Sequence, residues 1–137
     1  LIIPEILRWS QDPDEIERLG DRKEELYREL VRQGGMKILP GARELLAALK
    51  ASGIPRAVAS STSRTNLDSI FATTRLNEFF DAVVCADDVV NGKPAPDVFL
   101  KAASLLGLPP KRCVVFEDAL FGIEAAQRAG MKVVAVA

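Results

Sequence analysis

Histidine is absent from the 137 residues, which removes Ser-His-Asp chemistry and histidine zinc sites from consideration. The only two cysteines, Cys85 and Cys113, have no C-x-x-C spacing, so a cysteine metal site has no basis. Both lie inside apolar runs and read as buried reduced thiols, in keeping with a reducing cytosol. No stretch reaches the about 18 apolar residues that a membrane-spanning helix needs. Lysine and arginine number 18 against 19 acidic residues, a net charge of −1. With no basic run and no aromatic-basic interleaving, neither nucleic acid nor a membrane is an expected partner. Internal repeats and low-complexity tracts are missing as well. The chain opens without Met at Leu1-Ile2-Ile3, shows no signal-peptide pattern, and stops in the apolar run Val133 to Ala137. A segment of a longer protein is the expectation.

What is present is 48% hydrophobic, enough for one ordinary core. Up to about Gly35 the chain is dense in charge and helical in period. Two helices are predicted there, one ending near Trp9 and one from Pro13 to Gln33, stopped by Gly34-Gly35. From Met36 helices and short apolar runs alternate. Ala42, Leu45, Leu46 and Leu49 share a helical face, and Arg56 to Ser60 reads as a strand. Leu67, Ile70 and Phe71 mark a helix, then Ala82 to Cys85 a strand, and Pro96 opens a helix through Leu106. Cys113 to Phe116 is the next strand, Leu120 to Arg128 a helix, and Val133 to Val136 a last strand. Such alternation implies an α/β fold with a parallel sheet covered on both faces. Ligands in such sheets bind beyond the carboxyl ends of the strands.

Three polar clusters fall at those ends. Ser60, Ser61, Thr62 and Ser63 follow the first strand, where hydroxyls and successive backbone N–H groups can cradle a phosphate. They can equally cap the following helix, and Ser63 fits that role well. Lys93 lies between Gly92 and the Pro94/Pro96 pair, where a held ammonium could neutralise a phosphate oxygen. A solvated loop lysine is the plain alternative, weakened by the prolines that restrict the backbone. Glu117 and Asp118 end an apolar run; adjacent buried carboxylates repel unless a cation neutralises them, and a hard ion such as magnesium suits oxygen ligands. One of the two could instead be a helix N-cap acid. Asp87-Asp88, a second acid pair with no lysine partner of its own, reads as a solvated turn.

The order hydroxyl, lysine, paired acids resembles the second, third and fourth signatures of the haloacid dehalogenase-like phosphohydrolase superfamily. Lys93-Pro94-Ala95-Pro96-Asp97 and Phe116 to Ala126 are similar to its beta-phosphoglucomutase and phosphoglycolate-phosphatase-like branch. The resemblance covers essentially the whole chain. It implies a Rossmann-like three-layer parallel sheet over residues 36–137, whose central first strand is not in this sequence, and residues 1–35 as the latter part of a helical cap. It implies that Ser60 and Lys93 serve catalysis and that Ser61, Thr62 and the cap residue Lys23 bind substrate. An exposed helix lysine is an equal alternative for Lys23. Asp118 and Glu117 would hold magnesium. The family's Asp-x-Asp, which supplies the nucleophile, is not in these residues, and Ala119 stands where many relatives carry serine. The implied activity is a magnesium-dependent phosphatase for a small phosphorylated metabolite, from a cytoplasmic protein that is monomeric at full length. A phosphosugar mutase, or a non-catalytic binding module, is the alternative. The segment by itself is expected to be inactive.

Overall fold

Asp12-Pro13 starts the first helix for local reasons. The Asp12 carboxylate accepts the Asp14 N–H at 3.0 Å, and Pro13 occupies the first turn, where its missing N–H costs nothing. In the computed structural model, which describes residues 8–136, this helix, α1, spans Pro13–Leu30 and continues as a π-helical turn, Val31–Gly35. Gly34 ends it at φ 81°, a left-handed conformation that glycine adopts without penalty. The predicted Pro13–Gln33 helix and its glycine stop correspond to this element. The helix expected to end near Trp9 falls mostly outside the described residues, and Arg8 to Asp12 is not helical.

The alternation beyond Met36 is present, with the first two strands shorter than their apolar runs and the last two shifted by one residue. α2 is Ala42–Ala51, β1 Ala57–Ala59, α3 Arg64–Thr74 and β2 Ala82–Val84. α4 follows at Asp97–Leu105, then β3 Val114–Glu117, α5 Leu120–Arg128 and β4 Lys132–Ala135. All pairing is parallel and forms two small sheets, as expected of a parallel sheet whose central strand is not among these residues. β1 pairs β2 with Ala57 opposite Ala82 and Ala59 opposite Val84. β3 pairs β4 with Val115 opposite Val133. Among the described residues, β1 and β3 are each hydrogen-bonded to a strand on one flank only.

One core nevertheless joins the two sheets. Val98, Phe99, Ala102 and Ala103 of α4 and Ala125, Ala126 of α5 pack with Val84 of β2 and Val115 of β3, and Ala57, Ala59 and Val133 lean on the same cluster. Period-two alternation puts the neighbours of Val115 on the other face of the sheet, and there Val114 and Phe116 are 51% and 57% exposed. Cys85 is buried as expected, whereas Cys113 is only half-buried, because it precedes β3 rather than lying within it. Both thiols are free. No helix of the described residues is long and apolar enough to cross a membrane.

Candidate active site

Lys93 ties the ends of two strands together. Its Nζ donates to the carbonyl of Ala59, the last residue of β1, at 3.2 Å, and to Oε2 of Glu117, the last residue of β3, at 2.6 Å. It also lies 4.8 Å from the centre of the Phe99 ring, an attractive placement for a cation. Both charged side chains are 11% exposed. An ammonium has three N–H groups, and two are used, so one donor remains for a ligand. The loop that carries it is braced from several sides. The Ala95 N–H donates to the Gly92 carbonyl at 3.0 Å, and Arg128 donates to the Pro94 carbonyl at 3.3 Å. The Asn91 N–H and Nδ2 both donate to Asp97, and the Lys93–Pro94 peptide is cis.

The two adjacent acids have different surroundings. Glu117 is fully engaged: Oε2 holds Lys93, while Oε1 accepts the N–H groups of Asp118 and Ala119 at 3.2 and 3.1 Å. Burial pushes its carboxyl up, but the hydrogen bonds from Lys93 and Ala119 outweigh this and hold it below the usual carboxylate range. Gly122 is required beneath it, since a Cβ there would overlap the Glu117 carboxyl group. Asp118 is exposed, and its side chain interacts only with the neighbouring Glu117 carboxyl among the described residues. Glu117 is therefore the partner of Lys93, and Asp118 is the more exposed of the two acids.

The Ser60–Ser63 turn leaves β1 beside Lys93's anchor. The Ser60 N–H continues the ladder to the Val84 carbonyl at 2.9 Å, and its Oγ accepts the Thr62 N–H at 3.2 Å. The Thr62 carbonyl in turn accepts the Ala86 N–H at 3.0 Å. With its oxygen already accepting, the Ser60 hydroxyl is free to donate. The backbone N–H groups of Ser61 and Ser63 have no acceptor among the described residues. Ser63 begins α3, but its hydroxyl meets Thr65 at 3.1 Å instead of capping the helix. The cap comes from Asp87, which accepts the Arg64 N–H at 2.8 Å. Asp88 pairs with the Arg64 guanidinium and accepts the Cys85 N–H at 2.8 Å. The second acid pair is thus an anchor for the turn rather than a solvated bend.

Lys23 is not brought to this cluster. It lies on α1, its side chain is 65% exposed, and it pairs with the neighbouring Glu24. Between α1 and the start of α3 is an open cleft of about 650 Å³, lined by Arg18, Asp21, Arg22, Arg28, Ser63 and Thr65 among others. Neither Lys93 nor Asp118 lines it.

Among the described residues no group of three or more acidic, cysteine or histidine side chains could cage a metal. Magnesium does not need such a cage, since it commonly keeps several waters and takes one or two carboxylates plus substrate phosphate. Asp118, open and charged, fits that partial role. Glu117, with both oxygens occupied, is poorly placed for it.

Comparison with known proteins identifies the family. The model of the haloacid dehalogenase-like hydrolase family matches residues 4–130, and the chain belongs to that family. A 5-amino-6-(5-phospho-D-ribitylamino)uracil phosphatase of Arabidopsis thaliana chloroplasts is 39% identical over 98% of this chain and 36% of its own length. A beta-phosphoglucomutase of Mycobacterium tuberculosis is 44% identical over 82% of this chain and 43% of its own. The chain therefore spans less than half the length of these two curated relatives. Among solved structures, a family IA hydrolase from Entamoeba histolytica superposes with a TM-score of 0.89 at 34% identity, covering 99% of this chain and 62% of that one.

Proposed function

We propose that the intact protein is a magnesium-dependent phosphatase for a small phosphorylated metabolite. The observation that carries this reading is the position of Lys93, which joins the ends of β1 and β3 and keeps one N–H to spare. A phosphoryl group beside it would accept from that N–H, from the Ser60 hydroxyl and from the N–H groups of Ser61 and Ser63. Donors already aimed at the phosphoryl oxygens need no rearrangement as charge develops on them. Glu117 holds the ammonium in place. Asp118 would hold magnesium, which when bound neutralises charge on the phosphoryl oxygens. The nucleophile is an aspartate that the intact protein supplies from outside these residues. It attacks phosphorus and expels the leaving oxygen, and water then hydrolyses the aspartyl-phosphate.

The segment through Gly35 is read as part of a helical cap, and the intact protein as a cytoplasmic monomer. A mutase would share the phosphoryl site. Lys23, whose presence is compatible with mutase chemistry, is engaged with Glu24 and adds no support for it. The test is Lys93→Ala in the intact protein, assayed for phosphate release on a panel of phosphorylated metabolites. One lost electrostatic donor should reduce turnover about 10²–10³-fold. Near-normal turnover would return Lys93 to a purely structural bridge.

A further inference from the structure

Asn66 is 2% exposed and makes hydrogen bonds to two separate parts of the chain. Its Nδ2 donates to Thr62 Oγ1 at 3.0 Å and to the Glu24 carboxylate of α1. Its Oδ1 accepts from the Arg28 guanidinium, also on α1, at 3.1 Å. The orientation of the amide is settled by these partners, since the reverse would set oxygen against carboxylate and N–H against guanidinium. Thr74 is the other buried polar residue among those described, but its hydroxyl bonds stay local, donating to the Ile70 carbonyl of its own helix and accepting the Leu76 N–H. The bonds of Asn66 instead reach 42 and 38 residues away. The Lys23 hydrogen bond first, and then that of Asn66, holds Glu24 below the usual carboxylate range, so it stays a charged acceptor at neutral pH.

The consequence falls on Thr62. A hydroxyl has one donor and two acceptor sites, and Asn66 fills an acceptor site. The Thr62 backbone is already fixed on both sides, its N–H to Ser60 and its carbonyl to Ala86. The Thr62 O–H therefore has to be spent elsewhere, and no described residue accepts it. We propose that Asn66 is a positioning residue that couples α1 to the phosphate-binding turn and turns the Thr62 hydroxyl outward as a donor to the bound anion. The proposal rests on the phosphatase reading above and adds a coupling that reading does not contain. Docking of α1 would sharpen the phosphate site, and a bound phosphate would favour the docked α1.

The experiment is a double-mutant cycle in the intact protein, read as KM, kcat and the inhibition constant of inorganic phosphate. Asn66→Ala and Thr62→Val should each weaken KM and phosphate inhibition about tenfold, the loss of roughly one good hydrogen bond. The double variant should be no worse than Thr62→Val alone, because both remove one interaction. Should Asn66→Ala not fold, Glu24→Ala on the surface of α1 carries the same cycle, and Glu24→Gln should recover most of its loss by keeping an acceptor for Asn66. Independent, additive effects, or a KM untouched by every variant, would overturn the coupling. Lys93→Ala run alongside separates the two readings. If it is inactive while Asn66→Ala and Glu24→Ala bind phosphate normally, only the coupling fails. If Lys93→Ala is fully active, the phosphatase site itself is misassigned and the coupling falls with it.

Discussion

α1 and the strand ends carry the same kind of contact with different consequences. On α1, Arg22 and Glu25 meet at 2.5 Å with both side chains 60% exposed. At the strand ends, Lys93 and Glu117 meet at 2.6 Å with both nearly withdrawn from water. An exposed pair trades water for a partner at little gain and is screened by salt. The withdrawn pair has lost its water, so each charge depends on the groups built around it: the Ala59 carbonyl and Phe99 ring for lysine, the Asp118 and Ala119 N–H groups for glutamate. Proximity of opposite charges is thus weak evidence of function by itself. Burial combined with an unused donor is what distinguishes the Lys93 contact.

Changes to the paired acids should separate metal binding from stability. Asp118→Asn in the intact protein should raise the magnesium needed for half-maximal activity at least about tenfold with little change in melting temperature, because that carboxylate is exposed and touches only its neighbour Glu117. Glu117→Gln should do the reverse, lowering stability more than magnesium affinity. Magnesium titrations beside thermal melts of both variants decide the order, and a larger metal defect at Glu117 would exchange the two roles. The stability cost of Lys93→Ala should be about 3 kcal/mol by denaturant titration, since a nearly buried carboxylate is left without its cation. A cost like that of a surface lysine would mean the bridge is not desolvated.

Gly122→Ala should cost about 1–3 kcal/mol, because the added methyl must displace Glu117 or shift the start of α5. Combining it with Glu117→Gln should recover little, and combining it with Glu117→Ala should recover most; failure of that rescue would place the strain elsewhere. Acid pH should narrow the gap in melting temperature between the parent and Glu117→Gln. The folded Glu117 value is depressed, so its contribution is present above the ordinary carboxylate range and is lost as pH falls through the lower folded value. A gap that stays constant down to strong acid would contradict the pairing. The smallest effect belongs to α1: Arg22→Ala should change stability by less than about 0.5 kcal/mol, and a larger loss would erase the contrast between the two regions.

Much of the fold was legible in the amino-acid order. Each predicted helix beyond Met36 has a counterpart, although the face predicted for α2 packs only loosely: none of its residues is buried and Leu45 is 45% exposed. Strand positions were also legible, although their ends were not: Ser60 and Cys85 sit one residue past their strands, the Ser60 N–H still bonding Val84 while the Cys85 N–H turns to Asp88. The division into two sheets was not evident from the runs themselves, because an apolar run does not declare which neighbour it pairs with. Asn66 was missed for a related reason. A polar residue in the first turn of α3 looks solvent-facing until α1 is laid over it, and its spacing of four from Thr62 was the only local hint.

By itself, the sequence determined the chemistry available at the strand ends: hydroxyls after Ala59, a lysine between prolines, two acids after Phe116. These are matters of local order, set by where apolar runs stop and by the backbone preferences of glycine and proline. Only the tertiary structure decided how that chemistry is divided. Glu117 and Asp118 are both carboxylates after the same apolar run, yet Glu117 points back to Lys93 and two backbone N–H groups while Asp118 is exposed. The reason is geometric. Successive residues leaving a strand point in different directions, and which of them meets a cation 24 residues earlier in the chain depends on the packing of α4 and α5 beneath both sheets.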